Sequence, residues 1–152
     1  MLIDPSQVPQ QTTTGYPTPF VPIVTGRIKQ RVGDAAGLAN FGVNLVTLLP
    51  GAASALRHWH SHQDEFVYVL TGELILVTDA GESPLEAGMM AGFAANQPNG
   101  HQLVNRSQAP AQYLEIGDRT PDDCVQYPDD DLLAKSVDGR YHFTRKDGSS
   151  YA

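Results

Sequence analysis

The pattern of apolar and polar positions changes twice along the chain. Residues 1–25 carry Pro5, Pro9, Pro17, Pro19 and Pro22 among threonine and glutamine. Proline fixes φ and removes a backbone donor, so this stretch predicts an extended arm rather than a helix. Tyr16, Phe20, Val21 and Ile23 give the arm apolar groups to lay across the body or across a partner subunit. From Phe41 the pattern becomes that of strands. Phe41 to Leu49 is rich in β-branched and apolar residues and stops at Pro50-Gly51. A short run follows at 55–60. Residues 65–70 and 73–78, separated by Thr71-Gly72, predict a hairpin with a tight turn, and Asp79-Ala80-Gly81-Glu82 marks the next turn. A weaker run at 85–93 is interrupted by Gly88 and Gly92. Two more lie at 101–105 and 111–116. Roughly seven strands at a spacing near ten residues predict an all-β sandwich or barrel. Residues 118–152 are polar and predict irregular chain, with one helical turn at Asp131-Leu132-Leu133-Ala134-Lys135. The organisation expected is an arm over 1–30, a β-barrel over 31–118, and an irregular extension over 119–152 that packs on the barrel.

The length of 152 residues suits one domain, long enough to bury a core without disulfides. A single cysteine, Cys124, excludes an internal disulfide framework and a cysteine-rich zinc site. No apolar run approaches the roughly 20 residues of a membrane-spanning helix, and Met1 to Pro5 lacks the features of a signal peptide. The expectation is a cytoplasmic protein that does not engage a membrane. The net charge of −7 is unevenly placed. Six aspartates and one arginine between Asp118 and Asp131 carry most of it, and this stretch reads as a solvated loop. No basic stripe exists, so no nucleic-acid partner is expected.

Five histidines are present, three of them at His58, His60 and His62. Positions i and i+2 of a strand share a face, so His58 and His60 can converge on one point. Glu65 follows at the start of the next strand and can face the same interior. His101 starts a later strand. Three imidazoles and a carboxylate suit one divalent ion, whether iron, manganese, nickel, cobalt or zinc. A second set of His60, His62 and Glu65 is possible, but the turn Ser61-His62-Gln63-Asp64 ends the strand alternation and makes His62 a rim residue. His142 reads as a surface group and Cys124 as a bystander. Arg57 and Trp59 should point away from the ion if His58 points inward.

These residues resemble the cupin superfamily. Its first motif is matched by Gly51, six residues, His58-Trp59-His60, four residues, Glu65, six residues and Gly72. Its second begins at Gly88 and ends at His101, three residues and Asn105, while Ala94 and Asn96 stand where proline and glycine are usual. More narrowly the chain is similar to small single-domain bacterial cupins. The likeness runs through Gly33-Asp34-Ala35-Ala36-Gly37-Leu38, Arg57-His58-Trp59-His60, Asp64-Glu65-Phe66-Val67-Tyr68-Val69-Leu70, Gly100-His101, Asn105-Arg106-Ser107 and Tyr127-Pro128-Asp129. The resemblance implies a double-stranded β-helix, or jelly roll, with His58, His60, Glu65 and His101 as metal ligands. It does not imply one reaction.

The function expected is a metal-dependent enzyme on a small organic molecule, of oxygenase or of sugar or carbonyl isomerase type. The alternative is a non-catalytic ligand-binding or sensor module. The pocket walls are expected to be mainly apolar, from residues such as Val43, Leu45, Leu56, Val67 and Leu103. Asn44, Tyr68, Tyr113 and Glu115 are polar groups on strands whose facing the sequence leaves open, and no general acid or base is named. The arm and Trp59 are candidates to cover an exposed sheet edge, so a homodimer is expected.

Overall fold

The computed structural model describes residues 1–151 as thirteen strands and one short helix, with two 3-10 turns in the arm. The strands are β1 (Gln10–Gln11), β2 (Arg27–Gln30), β3 (Phe41–Leu48), β4 (Trp59–His60), β5 (Glu65–Thr71), β6 (Glu73–Thr78) and β7 (Gly81–Glu86). They continue as β8 (Met90–Phe93), β9 (Gln102–Val104), β10 (Ala111–Asp118), β11 (Cys124–Gln126), β12 (Leu133–Val137) and β13 (Arg140–Thr144). The helix α1 covers Val32–Ala35. Every strand pairing is antiparallel, in three sheets ordered β1-β2-β3-β10-β5-β8, β13-β12-β11-β4 and β7-β6-β9.

Alternation decides which residues meet inside. Val46 and Leu48 of β3, Val67 and Val69 of β5, and Ala111 and Tyr113 of β10 point inward from the six-stranded sheet. They pack on Leu74, Leu85 and Leu103 of the three-stranded sheet. Burial of such side chains is worth about 1.5–3 kcal/mol each, the main force closing the barrel. A second cluster joins Leu56, Val125, Tyr127, Leu132 and Ala134, against which Tyr16 and Phe20 of the arm pack.

Four expectations are corrected by the fold. Residues 65–70 and 73–78 do not pair as a hairpin: β5 lies in the six-stranded sheet and β6 in the three-stranded one. Gly72, at φ +83°, turns the chain from one sheet to the other, and a Cβ there would sit 2.8 Å from the Ala111 backbone. The hairpin lies one turn later, where Thr78 pairs with Gly81. The 119–152 segment is not irregular, because β11, β12 and β13 form a sheet with β4. Residues 131–135 hold no helical turn: Leu133 starts β12, and Leu132 and Ala134 are buried. The arm is likewise more than an extended strap, since β2 is a full member of the main sheet.

Candidate metal centre and the cavity around it

His60 lies on β4, and His58 just before it makes a two-way bridge with His101. The His58 N–H donates to the His101 carbonyl (3.1 Å) and the His101 N–H to the His58 carbonyl (2.8 Å). The bridge sets the distant His101 directly opposite His58, with ring centroids 4.6 Å apart. Glu65 opens β5 opposite Gly117 and Phe93. The Nε2 atoms of His58, His60 and His101 lie 3.5, 3.4 and 2.7 Å from one atom, Glu65 Oε2. That oxygen is buried and accepts no well-directed hydrogen bond. His58, His60 and Glu65 can hold one ion, their ligand atoms lying within 4.8 Å of one another.

The outer nitrogens are fixed by the fold. His58 Nδ1 lies 2.7 Å from the Leu56 carbonyl, and His60 Nδ1 lies 2.6 Å from Asp123 Oδ2. Each contact holds the proton on Nδ1 and leaves the Nε2 lone pair aimed inward, the tautomer a metal needs. His101 is held differently: its ring stacks on Phe93 at 3.6 Å, and its Nδ1 is buried without a partner. Burial opposes charge on Glu65, but the surrounding imidazoles outweigh it and keep the carboxyl well below its usual range. Burial similarly opposes protonation of His60, yet Asp123 and Glu65 raise its pKa. For His101 burial dominates and lowers it.

Asp123 does not lie in a solvated loop, contrary to the expectation for the 118–131 stretch. It is 1% exposed and gathers four donors. Oδ2 faces His60 Nδ1 and accepts from the Tyr141 hydroxyl (2.8 Å); Oδ1 accepts from the His62 N–H (2.9 Å) and the Ser61 hydroxyl (3.4 Å). Burial pushes its pKa up, but these donors bring it down to about 2. His62 itself is exposed, its ring bonded to Ser61, and its Nδ1 makes no approach to Glu65. His142 is exposed on β13. Arg57 turns away from the cluster onto Asp129, Asp79 and the Gly100 carbonyl. Asn105 is fully buried and structural: its amide donates to the Leu48 and Ala109 carbonyls at 2.8 Å.

A cavity of about 1050 Å³ opens in front of the cluster. Its walls correct the expected apolar lining. Val67 and Leu103 take part, but Val43 and Leu45 alternate to the opposite face of β3, and Leu56 belongs to the second core cluster. Polar groups share the lining with apolar ones: Lys29, Asn44, Glu115, Arg27, Tyr113 and Tyr141 all line it. The β12–β13 hairpin contributes Ser136 and Arg140, so the C-terminal segment is a wall of the cavity. A second cavity of about 290 Å³ meets the same cluster from the side of Trp59, Phe93 and Gln97.

The register sorts the inward residues of the main sheet into rows. Gly42, Gly117, Glu65 and Phe93 form one row, and Asn44, Glu115, Val67 and Ala91 the next. Neither Gly42 nor Gly117 has positive φ, and a Cβ on either meets nothing nearer than 3.6 Å. What these glycines preserve is open space in front of Glu65.

The comparisons with known proteins agree with this architecture. The cupin domain family matches residues 44–117. A crystal structure from Silicibacter pomeroyi, described as a sugar phosphate isomerase of the cupin superfamily, is 47% identical. It matches over 100% of this chain and 97% of its own, with a TM-score of 0.96. The chain belongs to the cupin superfamily. A second neighbour, a crystal structure from Acidithiobacillus ferrooxidans with sugar phosphate isomerisation as its proposed activity, is 29% identical. It covers 78% of this chain and 76% of its own, at a TM-score of 0.73. A polyketide cyclase from Streptomyces resistomycificus, 16% identical over 78% of each chain at a TM-score of 0.65, shares the cupin fold alone. No curated protein matches. Among the described residues, no helix of this cupin is long and apolar enough to cross a membrane.

Proposed function

We propose that this cupin is a metal-dependent isomerase of small, hydroxylated carbonyl compounds, with sugar phosphates as the leading substrate class. The observation that carries the reading is the convergence of three imidazole Nε2 atoms on the buried Glu65 Oε2 at the wall of a cavity with several polar groups. His58, His60, Glu65 and His101 would hold one divalent ion, because a buried carboxylate oxygen faced by two inward imidazole lone pairs and a third imidazole is a cation's environment. The bound ion would supply Lewis-acid polarisation of a carbonyl.

The cavity favours an isomerase over an oxygenase of apolar compounds. Lys29, Asn44, Glu115 and Arg27 offer donors and an acceptor that a polyhydroxy chain can satisfy and a hydrocarbon cannot. Among the described residues Arg27 has no carboxylate partner; its guanidinium donates to the Ser54 carbonyl at 2.6 Å. It can therefore receive an anionic substrate group. The relative from Silicibacter pomeroyi, with its described activity, supports the same class.

The test is proton exchange. Metal-loaded protein is incubated in deuterium oxide with a panel of three- to six-carbon aldose and ketose phosphates, followed by NMR. Deuterium appearing at the carbon beside the carbonyl, together with interconversion, supports the reading. No exchange on any member of the panel by protein shown to hold its metal contradicts it.

A further inference from the structure

The metal centre has no acid–base partner of its own, since His58 and His60 are committed at both ring nitrogens and Glu65 Oε2 faces inward among them. The row beside it holds one. Glu115 of β10 pairs with Val67 of β5, two residues beyond Glu65, so the two carboxylates are diagonal neighbours on one face. Such neighbours have Cα atoms roughly 7–8 Å apart, which leaves room for a substrate to lie against both.

Glu115 is held in an asymmetric way. Its Oε1 accepts from Lys29 Nζ at 2.9 Å and from Asn44 Nδ2 at 3.2 Å. Among the described residues its Oε2 has no donor, and the carboxylate lines the cavity. Three strands thus converge to fix one oxygen and leave the other facing the ligand space. Burial would raise this carboxyl's pKa, but Lys29 outweighs it and keeps it ionised.

A second, independent observation points to a ligand beside Glu115. Tyr113, two residues earlier on β10 and on the same inward face, is fully buried and lines the cavity. Among the described residues its hydroxyl makes no well-directed hydrogen bond, although the Ser54 side chain lies near it. A buried hydroxyl without a partner costs about 1–3 kcal/mol, and a ligand oxygen would relieve that cost.

We infer that Glu115 is the proton-transferring residue of the site, positioned by Lys29 and Asn44, with Tyr113 donating to a substrate oxygen. The inference rests on the isomerase reading and assigns its chemistry. Glu115 Oε2 takes the proton from the carbon beside the carbonyl. The C–H electron pair becomes the carbon–carbon double bond of an enediolate, and the carbonyl oxygen takes the charge. The hydroxyl proton passes between the two vicinal oxygens, and Glu115 returns its proton to the former carbonyl carbon. Two protons change places, and no oxidant or co-reactant is consumed. The Lys29 ammonium lies where it can moderate the charge as it moves from carboxylate to substrate.

The test compares metal-loaded wild type, Glu115→Gln and Lys29→Met. Metal content and melting temperature are measured first; metal content should match wild type in Glu115→Gln, and the variant should stay folded with a lowered melting temperature, since the amide can still accept from Lys29 but no longer neutralises it. Deuterium exchange with the sugar phosphate panel should fall about 10²–10⁴-fold in Glu115→Gln, the usual contribution of a general base. A hydroxamate mimic of the enediolate, titrated calorimetrically, should bind at least about tenfold more weakly to the variant, because the proton acceptor it pairs with is gone. Lys29→Met should retain exchange but move the acidic limb of its pH profile upward, an effect that loss of packing alone would not produce. Exchange within threefold of wild type in Glu115→Gln overturns the assignment while leaving the isomerase reading intact. A wild type that holds metal but neither exchanges nor binds the mimic overturns both.

Discussion

Asp123→Asn separates the orientation of His60 from the mere presence of a buried side chain. The substitution is nearly isosteric but replaces one acceptor oxygen by a donor NH₂. In the wild type, Oδ2 receives His60 Nδ1 and Tyr141, while Oδ1 receives the His62 N–H and Ser61. Whichever way the amide turns, one side now presents N–H to N–H. The backbone N–H of His62 cannot yield, whereas His60 can move its proton to Nε2 and the Tyr141 hydroxyl can rotate to accept. The amide nitrogen should therefore face His60, and His60 should lose the inward lone pair that makes it a ligand. Loss of such an orienting partner costs about 10–100-fold in metal affinity, or about 1.4–2.7 kcal/mol. At a fixed excess of metal the same energy disappears from the metal-dependent gain in stability. At about 2–4 °C per kcal/mol for a chain of this size, the thermal shift on adding metal should shrink by roughly 3–10 °C.

The assay is competition against a chromophoric chelator, run beside thermal melts with and without metal. Asp123→Ala is the poorer variant, because it strands several buried donors at about 1–3 kcal/mol each and can unfold the chain. A folded Asp123→Asn that binds metal within twofold of wild type would refute the reasoning, since His60 would then not depend on Asp123 for its tautomer.

The same aspartate sets an acid limit. Its carboxyl is depressed from 3.8 to about 2 in the folded chain, so its stabilisation is full above pH 4 and is lost as pH falls towards 2. Urea midpoints of wild type and Asp123→Asn should converge over that window and stay apart at pH 6. Gly42→Val adds a side chain where a Cβ meets only Arg119 and the Gly117 carbonyl beyond 3.6 Å. Stability should change by about 1 kcal/mol or less, while binding of the hydroxamate mimic falls at least tenfold. The two motif glycines should differ. Gly51→Ala meets open space at φ +84° and should cost about 1–2 kcal/mol by denaturant melts; Gly72→Ala adds the 2.8 Å clash with Ala111 and should cost about 1–3 kcal/mol more. The homodimer expected from the sequence has a surface to use: Phe66, Leu70 and Met90 stand 39%, 38% and 54% exposed on the outer face of the main sheet. Light scattering should give twice the chain mass, and Phe66→Asp with Met90→Asp should give the single chain.

The legible part of the site was the part written in short periods. His-x-His on one strand face and Glu65 at the next strand start follow from alternation alone. His101 came from the family motif, and the physical link, its backbone bridge to His58, is not a sequence-local feature. Asp123 was hidden by composition, since five other aspartates surround it in the stretch that read as solvated. The usable signal was the alternation Asp123, Val125, Tyr127, whose members are all buried. Lys29 and Glu115 could not be paired from the sequence because 86 residues separate them, and only the β2-β3-β10 order brings them together. The Gly72 turn imitates a hairpin because both flanking segments alternate. What sends the second segment to another sheet is the close approach of Ala111, visible only in three dimensions.

The central claim is that His58, His60, Glu65 and His101 hold one ion. The most direct measurement is elemental analysis of protein purified without chelator, beside His58→Ala with His60→Ala in a variant shown to be folded by circular dichroism. Close to one divalent ion per chain is expected in the wild type and almost none in the variant. A wild type that neither carries nor takes up a divalent ion, or a variant that retains it, would contradict the account.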